Sequence, residues 1–270
     1  MLSARRSEIL EIAKKDGRVL VDQLAARYQV SVQTIRKDLN ELCGQRLLSR
    51  IHGGAVIGSG VENVGYEARR MIAPHAKAAI GRAVAGLIPD RASLFINIGT
   101  TTEAAAHALL HHKGLMVITN NINVATLMRP YPEMEVVIAG GIVRRSDGGI
   151  IGEATIDFIR QFRVDFAVIG ISAIDADGSL LDYDYREVRV AQAIISNARH
   201  VILAADASKF ERTAPVRVGH LSQVGTFVTD RSAPPAIGRI CREGSIRLIE
   251  AAMASGSDFD DPETATEARE

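Results

Sequence analysis

The sequence predicts two folded units of different class: a small helical module closed by a β-hairpin, then an α/β unit on a mostly parallel sheet. Three observations predict them. Residues 1–57 carry short segments with apolar residues at helical spacing, followed by LLSRI and AVI on either side of a Gly-Gly pair. From Pro74 onward, continuous apolar runs of strand length alternate with helix-period segments, the pattern of a parallel sheet covered on both faces. Between the two lies GSGVEN, 58–63, whose Gly and Ser read as a flexible connection. The expected divisions are 1–57, a linker over 58–73, the α/β domain over 74–253, and an acidic tail over 254–270 expected to be disordered.

Charge and composition exclude several classes. Of 270 residues, 32 are Lys or Arg and 32 Asp or Glu, so the chain is neither a general polycation nor an acidic solvating protein. The balance is uneven, however: net +4 over 1–57, +1 over 58–253 and −5 over the tail. At 47% hydrophobic and 4% aromatic, with no Trp, the core must be built from Ala, Val, Ile and Leu. Cys43 and Cys241 are far apart, which excludes a disulfide framework and fits a reducing compartment. The longest uncharged run, Gly114 to Met128, contains three Asn and is too short to span a bilayer. The N-terminus lacks the apolar core of a signal peptide, so a cytoplasmic location with no membrane partner is expected.

In the first module, Ser3 to Lys15 places Ile9, Leu10, Ile12 and Ala13 at helical spacing, and Asp16-Gly17 ends the run. A second helix, Val21 to Tyr28, buries Leu24, Ala25 and Tyr28. After Gln29-Val30, Ser31 caps a third helix with Val32, Ile35, Leu39 and Leu42 in one stripe. Its other face shows Gln33, Thr34, Arg36, Lys37 and Asn40. Arg pairs with guanine edges, Gln with adenine, and Lys neutralises phosphate, so this is a helix-turn-helix pattern with its recognition helix. The hairpin Leu47–Ile51 and Ala55–Ile57 around His52-Gly53-Gly54 makes a wing, which offers Arg50 and His52 to the DNA.

In the second module the expected helices are Ala76–Leu87, Thr101–His111, Asn121–Met128, Thr155–Phe162, Tyr185–Ala198 and Ala236–Arg242. The expected strands are Ser93–Ile98, Met116–Thr119, Val136–Ala139, Phe166–Gly170, His200–Ala204, Gln223–Thr229 and Ile246–Ile249. Ligands of such sheets bind beyond the carboxyl ends of the strands. There the sequence places Gly99, Thr100, Thr101 and Thr102 after one strand and Asn120 and Asn121 after the next. Gly140 and Gly141 with Arg144, and Asp206-Ala207-Ser208-Lys209, follow two others. Gly and helix-start Thr offer N–H and O–H donors to an anion, Asn suits hydroxyls, and Arg144 and Lys209 neutralise phosphate. A small phosphorylated polyol is the expected ligand.

The run SVQTIRKDLNELCGQRLLSRIHGGA resembles the N-terminal signature of the DeoR-type bacterial transcriptional repressors, a capped TIR-basic-DL helix with a wing ending in HGGA. It departs where a Gly is usual before the wing: Gln45-Arg46 stand there, which is expected to alter the turn and not the fold. Later runs, among them INIGTTTEAAAHALL, VITNNINVA, IAGG, DYREVR and VILAADASKF, are similar to that family's sensor domain, and the likeness runs from about Arg5 to about Asp230. The resemblance implies a sensor related in fold to ribose-5-phosphate isomerase and a repressor released from operator DNA by a sugar-phosphate-type effector, glycerol 3-phosphate first. That family commonly has Asp two residues before its Gly-Thr-Thr, where this chain has Asn97; weaker binding or a different ligand is implied. Lys77 matches a basic position to which no role is assigned.

Two other readings compete. An isomerase could draw on Asp182, Asp184, Glu187 or Asp206, yet no carboxylate is placed convincingly as its base, and no enzymatic turnover is expected. His107 and His111, at i and i+4 with His112 beside them, could hold a metal ion, but no further ligand accompanies them; neither metal nor cofactor is expected. The glycine run 148–152 lacks the setting of a dinucleotide loop and reads as a close-packing loop near the ligand or a subunit contact. One winged helix reads too few bases for genomic specificity, so a dimer or tetramer is expected.

Overall fold

A computed structural model describes residues 3–252 apart from 17, 46, 52, 58–62 and 64, with the backbone alone at 14–16, 18, 49–51, 56 and 57. The wing residue His52, most of the GSGVEN connection and the acidic tail lie outside the described residues.

The first unit runs α1 (Ala4–Asp16), β1 (Arg18–Leu20), α2 (Val21–Tyr28), α3 (Val32–Gly44), β2 (Leu48–Ile51) and β3 (Gly54–Ile57). Ile9, Leu24, Ile35, Leu39, Leu42 and Leu48 form its core. Val32 was expected in that stripe but is exposed, because it opens the first turn and the buried stripe starts at Ile35. Ser31 caps α3, its Oγ accepting from the Thr34 N–H at 3.1 Å. The wing is not a two-stranded hairpin. Arg18–Leu20 adds a third strand, antiparallel to β3. A Cβ at Gly54 would lie 2.1 Å from the Val19 carbonyl oxygen, so glycine is required where β1 crosses β3. Buried Asp38 ties α3 to α1, accepting from Arg5 Nε at 2.6 Å and Arg6 Nε at 2.9 Å.

The second unit begins with α4 (Tyr66–Met71) and α5 (Pro74–Ala85), then β4 (Ser93–Ile96), α6 (Thr100–Ala108), β5 (Leu115–Thr119), α7 (Ile122–Met128) and β6 (Met134–Ile138). It continues through β7 (Ile142–Val143), β8 (Ile150–Ile151), α8 (Glu153–Ile159), β9 (Val164–Ile169), β10 (Ala173–Ile174) and β11 (Ser179–Asp182). The last elements are α9 (Tyr185–Ser196), β12 (Ala198–Ala204), β13 (Val216–His220), β14 (Thr226–Thr229), α10 (Pro235–Glu243) and β15 (Arg247–Glu250).

Seven of these strands form one parallel sheet in the order β15-β14-β12-β9-β4-β5-β6. Alternate strand residues serve opposite faces, as the pleat requires. Leu94 and Ile96 of β4 pack with α5, α6 and α7, whereas Phe95 between them packs with α8, α9 and α10. The chain runs outward from β4 through β5 to β6, returns to β9 beside β4, and leaves the other way through β12, β14 and β15. Connections diverge between β4 and β9, so their carboxyl ends bound a crevice.

Two features depart from the sequence reading. The small antiparallel sheet β10-β11-β13 and the hairpin β7-β8 were not foreseen, because strands of two to five residues carry too little periodicity. The span 58–73 is not linker throughout: Tyr66–Met71 is a helix, ion-paired through Arg69 to Asp147.

Candidate functional site

On α3 the side chains of Gln33, Arg36, Lys37 and Asn40 are exposed on the face away from the core. Thr34 is half-buried and its hydroxyl lies 2.9 Å from Ser31 Oγ, so it belongs to the helix cap as much as to that face. Arg50 sits on β2 opposite Ala55; only its backbone is described. Arg5 and Arg6 face Asp38, and Arg6 also meets Glu41, so their charge is consumed inside the module. Burial works against the Asp38 carboxylate, but hydrogen bonds from both guanidinium groups hold it below the usual carboxylate range. Of the described side chains on α3, Arg36 and Lys37 supply the positive charge.

The second candidate lies at the β4/β9 crevice. Gly99, Thr100 and Thr101 at the start of α6 line a pocket together with Lys209, Arg69, Ser172, Asp182 and Glu187. Asn97 and Asn120, at the ends of β4 and β5, are buried, and each leaves its Oδ1 without a hydrogen-bond partner. Asp206, beyond β12, caps the turn through Ser208 N at 3.1 Å, and its Oδ2 is unpartnered. Arg69 Nε and Arg212 Nη1 are likewise buried and unpartnered. So many unpaired polar atoms at one strand edge are what a polar ligand satisfies.

Cations crowd this place. Burial, with Arg212, Lys77 and Arg69 nearby, pushes the Lys209 ammonium down to about 7, although Asp206 opposes the shift. Burial likewise lowers Lys77 to about 8, against Asp206 and with Arg69 and Arg212. Burial raises Asp206, but Lys209, Ser208 and Lys77 outweigh it and keep the carboxylate ionised. On the far wall, burial and the neighbouring Asp182 lift Glu187 to about 8, despite Arg144. Arg69, Lys77, Lys209 and Arg212 thus gather here; Asp206 faces the two lysines, and Asp147 and Asp182 lie on the Arg69 side.

The structure gives other expected ligands different work. The Arg144 guanidinium makes a two-pronged bond to Asp147 (2.8 and 2.6 Å) and reaches Glu187 at 2.6 Å, so it is not available to neutralise a phosphate. Gly140 and Gly141 follow β6, two strands from β4 at the sheet edge. Gly141 has φ 149° and its absent Cβ would lie 2.2 Å from Thr155 Oγ1; it is a packing glycine. Thr102 Oγ1 is turned to the carbonyls of Asn97 and Gly99, each at 2.7 Å. Asn121 caps α7 by accepting from Asn123 N at 2.9 Å and donates to Glu103 at 3.0 Å. Gly149, in the glycine run, packs on Ile98, whose Cδ1 would lie 2.4 Å from an added Cβ. His107 and His111 are exposed, and His112 Nε2 lies against the carbonyls of Ala85 and Ile88. Sequence reasoning missed Arg69 and Arg212 altogether; both stand in charged stretches with no motif to mark them.

Residues 5–60 match the DeoR-like helix-turn-helix domain, and residues 72–231 match the DeoR C terminal sensor domain. The chain belongs to the DeoR family. Its DeoR relatives include the glycerol-3-phosphate regulon repressor of Escherichia coli (strain K12), 48% identical over 244 residues, 90% of this chain and 97% of that protein. The glycerol-3-phosphate regulon repressor of Haemophilus influenzae is 49% identical over 247 residues, 92% and 96% of the two chains. The HTH-type transcriptional repressor CsqR of Escherichia coli is 38% identical over 245 residues, 91% and 94%. These relatives are repressors, and this DeoR-family chain is a DNA-binding transcriptional repressor and not an enzyme. Among solved structures, ribose 5 phosphate isomerase A from Neisseria gonorrhoeae aligns at TM-score 0.36 and 13% identity, over 50% of this chain and 52% of that one; so distant a likeness says nothing about the site. Among the described residues no helix is long and apolar enough to cross a membrane.

Proposed function

We propose that this DeoR-family repressor binds operator DNA through Gln33, Arg36, Lys37 and Asn40 of α3 with Arg50 and His52 of the wing, and that glycerol 3-phosphate lowers its operator affinity. The phosphate is held by Lys209, Arg69, Lys77 and the N–H groups of Thr100 and Thr101; the hydroxyls go to the free Oδ1 atoms of Asn97 and Asn120. What carries this reading is the gathering of Arg69, Lys77, Lys209 and Arg212 near the start of α6, with both lysine ammonium groups driven down by burial and by the Arg69 and Arg212 charges. A phosphate dianion relieves that repulsion and gives the unpartnered donors an acceptor. The relatives named for glycerol 3-phosphate support the choice of ligand. Two or more copies bind together on repeated half-sites, since one recognition helix reads too few bases.

Release requires the effector to bind the two states with different affinity; a coupling of about 1–3 kcal/mol changes operator affinity roughly 5–150-fold. The test is operator binding of the full chain titrated with glycerol 3-phosphate, glycerol and ribose 5-phosphate in parallel. Glycerol 3-phosphate should weaken binding and glycerol should not. If no phosphate changes the affinity, the effector reading is wrong. Lys209→Ala should bind operator like the parent chain and lose most of the response.

A further inference from the structure

Helix α4 lies between the DNA-binding module, which ends at Ile57, and the sensor sheet, and the way it is held is unusual. It has six residues, none of them buried, so neither length nor an apolar face stabilises it. Polar ties do so instead. Tyr66 Oη donates to Glu103 Oε2 at 2.8 Å and accepts from Asn123 Nδ2 at 2.9 Å. Just ahead of the helix, Asn63 Nδ2 donates to Ser172 Oγ at 3.0 Å, and Ser172 lines the crevice. Arg69 supplies two more. Its Nη2 pairs with Asp147 Oδ2 at 3.1 Å, and its carbonyl oxygen accepts from the Lys77 ammonium.

Arg69 therefore stands in both settings at once. It lines the crevice beside Lys209 and Thr100, and it also lines the adjoining cleft of about 590 Å3 with Arg144, Asp147 and Asp184. Its Nε is buried and unpartnered, while its Nη2 holds α4 to a carboxylate that Arg144 already grips in two-pronged fashion.

We infer that Arg69 is the coupling residue of the repressor: a phosphate in the crevice draws the Arg69 guanidinium from Asp147 and the Lys77 ammonium from the Arg69 carbonyl, and so undocks α4. This rests on the effector reading above. Asp147 keeps its Arg144 partner when Arg69 leaves, so the exchange strands no buried carboxylate. Both broken contacts are on α4 or end on it, and the helix has no buried residue to keep it in place. Because the effector lowers operator affinity under that reading, undocked α4 belongs to the weak-binding arrangement.

The test uses the full chain. Amide exchange at residues 66–71 is measured with and without saturating glycerol 3-phosphate. Operator Kd is measured with and without the same ligand for the parent chain, Arg69→Gln and Tyr66→Phe, after each variant's thermal unfolding shows it folded. Exchange at 66–71 should accelerate on adding ligand. The Kd ratio, roughly 5–150-fold in the parent, should fall toward one in Arg69→Gln. Tyr66→Phe, which cuts a tie away from the phosphate, should weaken operator binding without ligand and tighten glycerol 3-phosphate binding, since both ligands act on the same equilibrium. If the parent responds but exchange at 66–71 is unchanged or slower, the coupling role of Arg69 is overturned while the effector reading survives. A parent ratio near one with every phosphate refutes both.

Discussion

Lys209 and Lys77 carry an expectation that separates electrostatics from shape. In the free protein their ammonium groups sit near 7 and 8, lowered by burial and by the Arg212 and Arg69 charges, with Asp206 opposing. A bound phosphate favours the charged form and raises both, so binding takes up protons. Affinity for glycerol 3-phosphate is then greatest while both lysines are charged, and it falls as pH rises through 7 and 8. The phosphate's own second ionisation, at about 6, sets the lower edge of that window. Calorimetric titration in buffers of different ionisation enthalpy reads the protons directly; zero uptake between pH 7 and 8 would contradict the charge-cluster account. At the same scale, Asp38→Asn should destabilise the DNA-binding module by about 2 kcal/mol, since it removes charge-assisted bonds from a buried acceptor. Asp38 lies below the usual carboxylate range when folded, so its contribution is present at neutral pH and is lost as pH falls through that depressed value. Urea unfolding at pH 7 and at low pH, with and without the substitution, checks the sign.

At the scale of elements, α5 and α6 meet through a glycine. A Cβ at Gly81 would come 2.5 Å from the Ala104 carbonyl oxygen on α6. In an exposed helix Gly→Ala stabilises by about 1 kcal/mol through the unfolded chain. Here Gly81→Ala should do the reverse, lowering the melting temperature and, because α6 begins at the crevice, weakening the effector response. A variant at least as stable as the parent would show that the two helices do not pack so closely. The wing illustrates a related point. Arg18–Leu20 is too short to announce itself, and it becomes a strand because Gly54 lets β3 approach it.

Across the whole molecule, zero net charge conceals a basic module and an acidic end. Non-specific DNA binding is governed by phosphate neutralisation and weakens with salt. Deleting residues 254–270 removes net −5 from the chain. It should therefore raise non-specific DNA affinity at low salt, with the gain vanishing at high salt, as read by fluorescence anisotropy on an unrelated duplex. An unchanged affinity would leave the tail without a part in DNA binding.

Much of this was legible in the sequence. The helix stripe Ile35, Leu39 and Leu42 with its Ser31 cap, the outward Arg36 and Lys37, and the alternation of apolar strands with helices are all decided within a few residues of one another, so periodicity and cap chemistry reveal them. The Gly-Thr-Thr-Thr run and Lys209 were marked by their position after apolar strands. The identity of the site's other groups depended on the order of strands. Only the return of the chain from β6 to β9 sets Gly99 and Thr100 beside Ser172, Asp182 and Lys209. Arg144 illustrates the opposite case: its spacing after Gly-Gly suggested a phosphate ligand, yet Asp147 and Glu187 take its charge, and partners brought together by folding are not written in local pattern. Arg69 had no local signal, for it stands in a charged stretch that reads as linker. Its importance comes from lying against two walls contributed by chain about 80 and 140 residues away, and contacts at that separation are settled by packing and not by propensity.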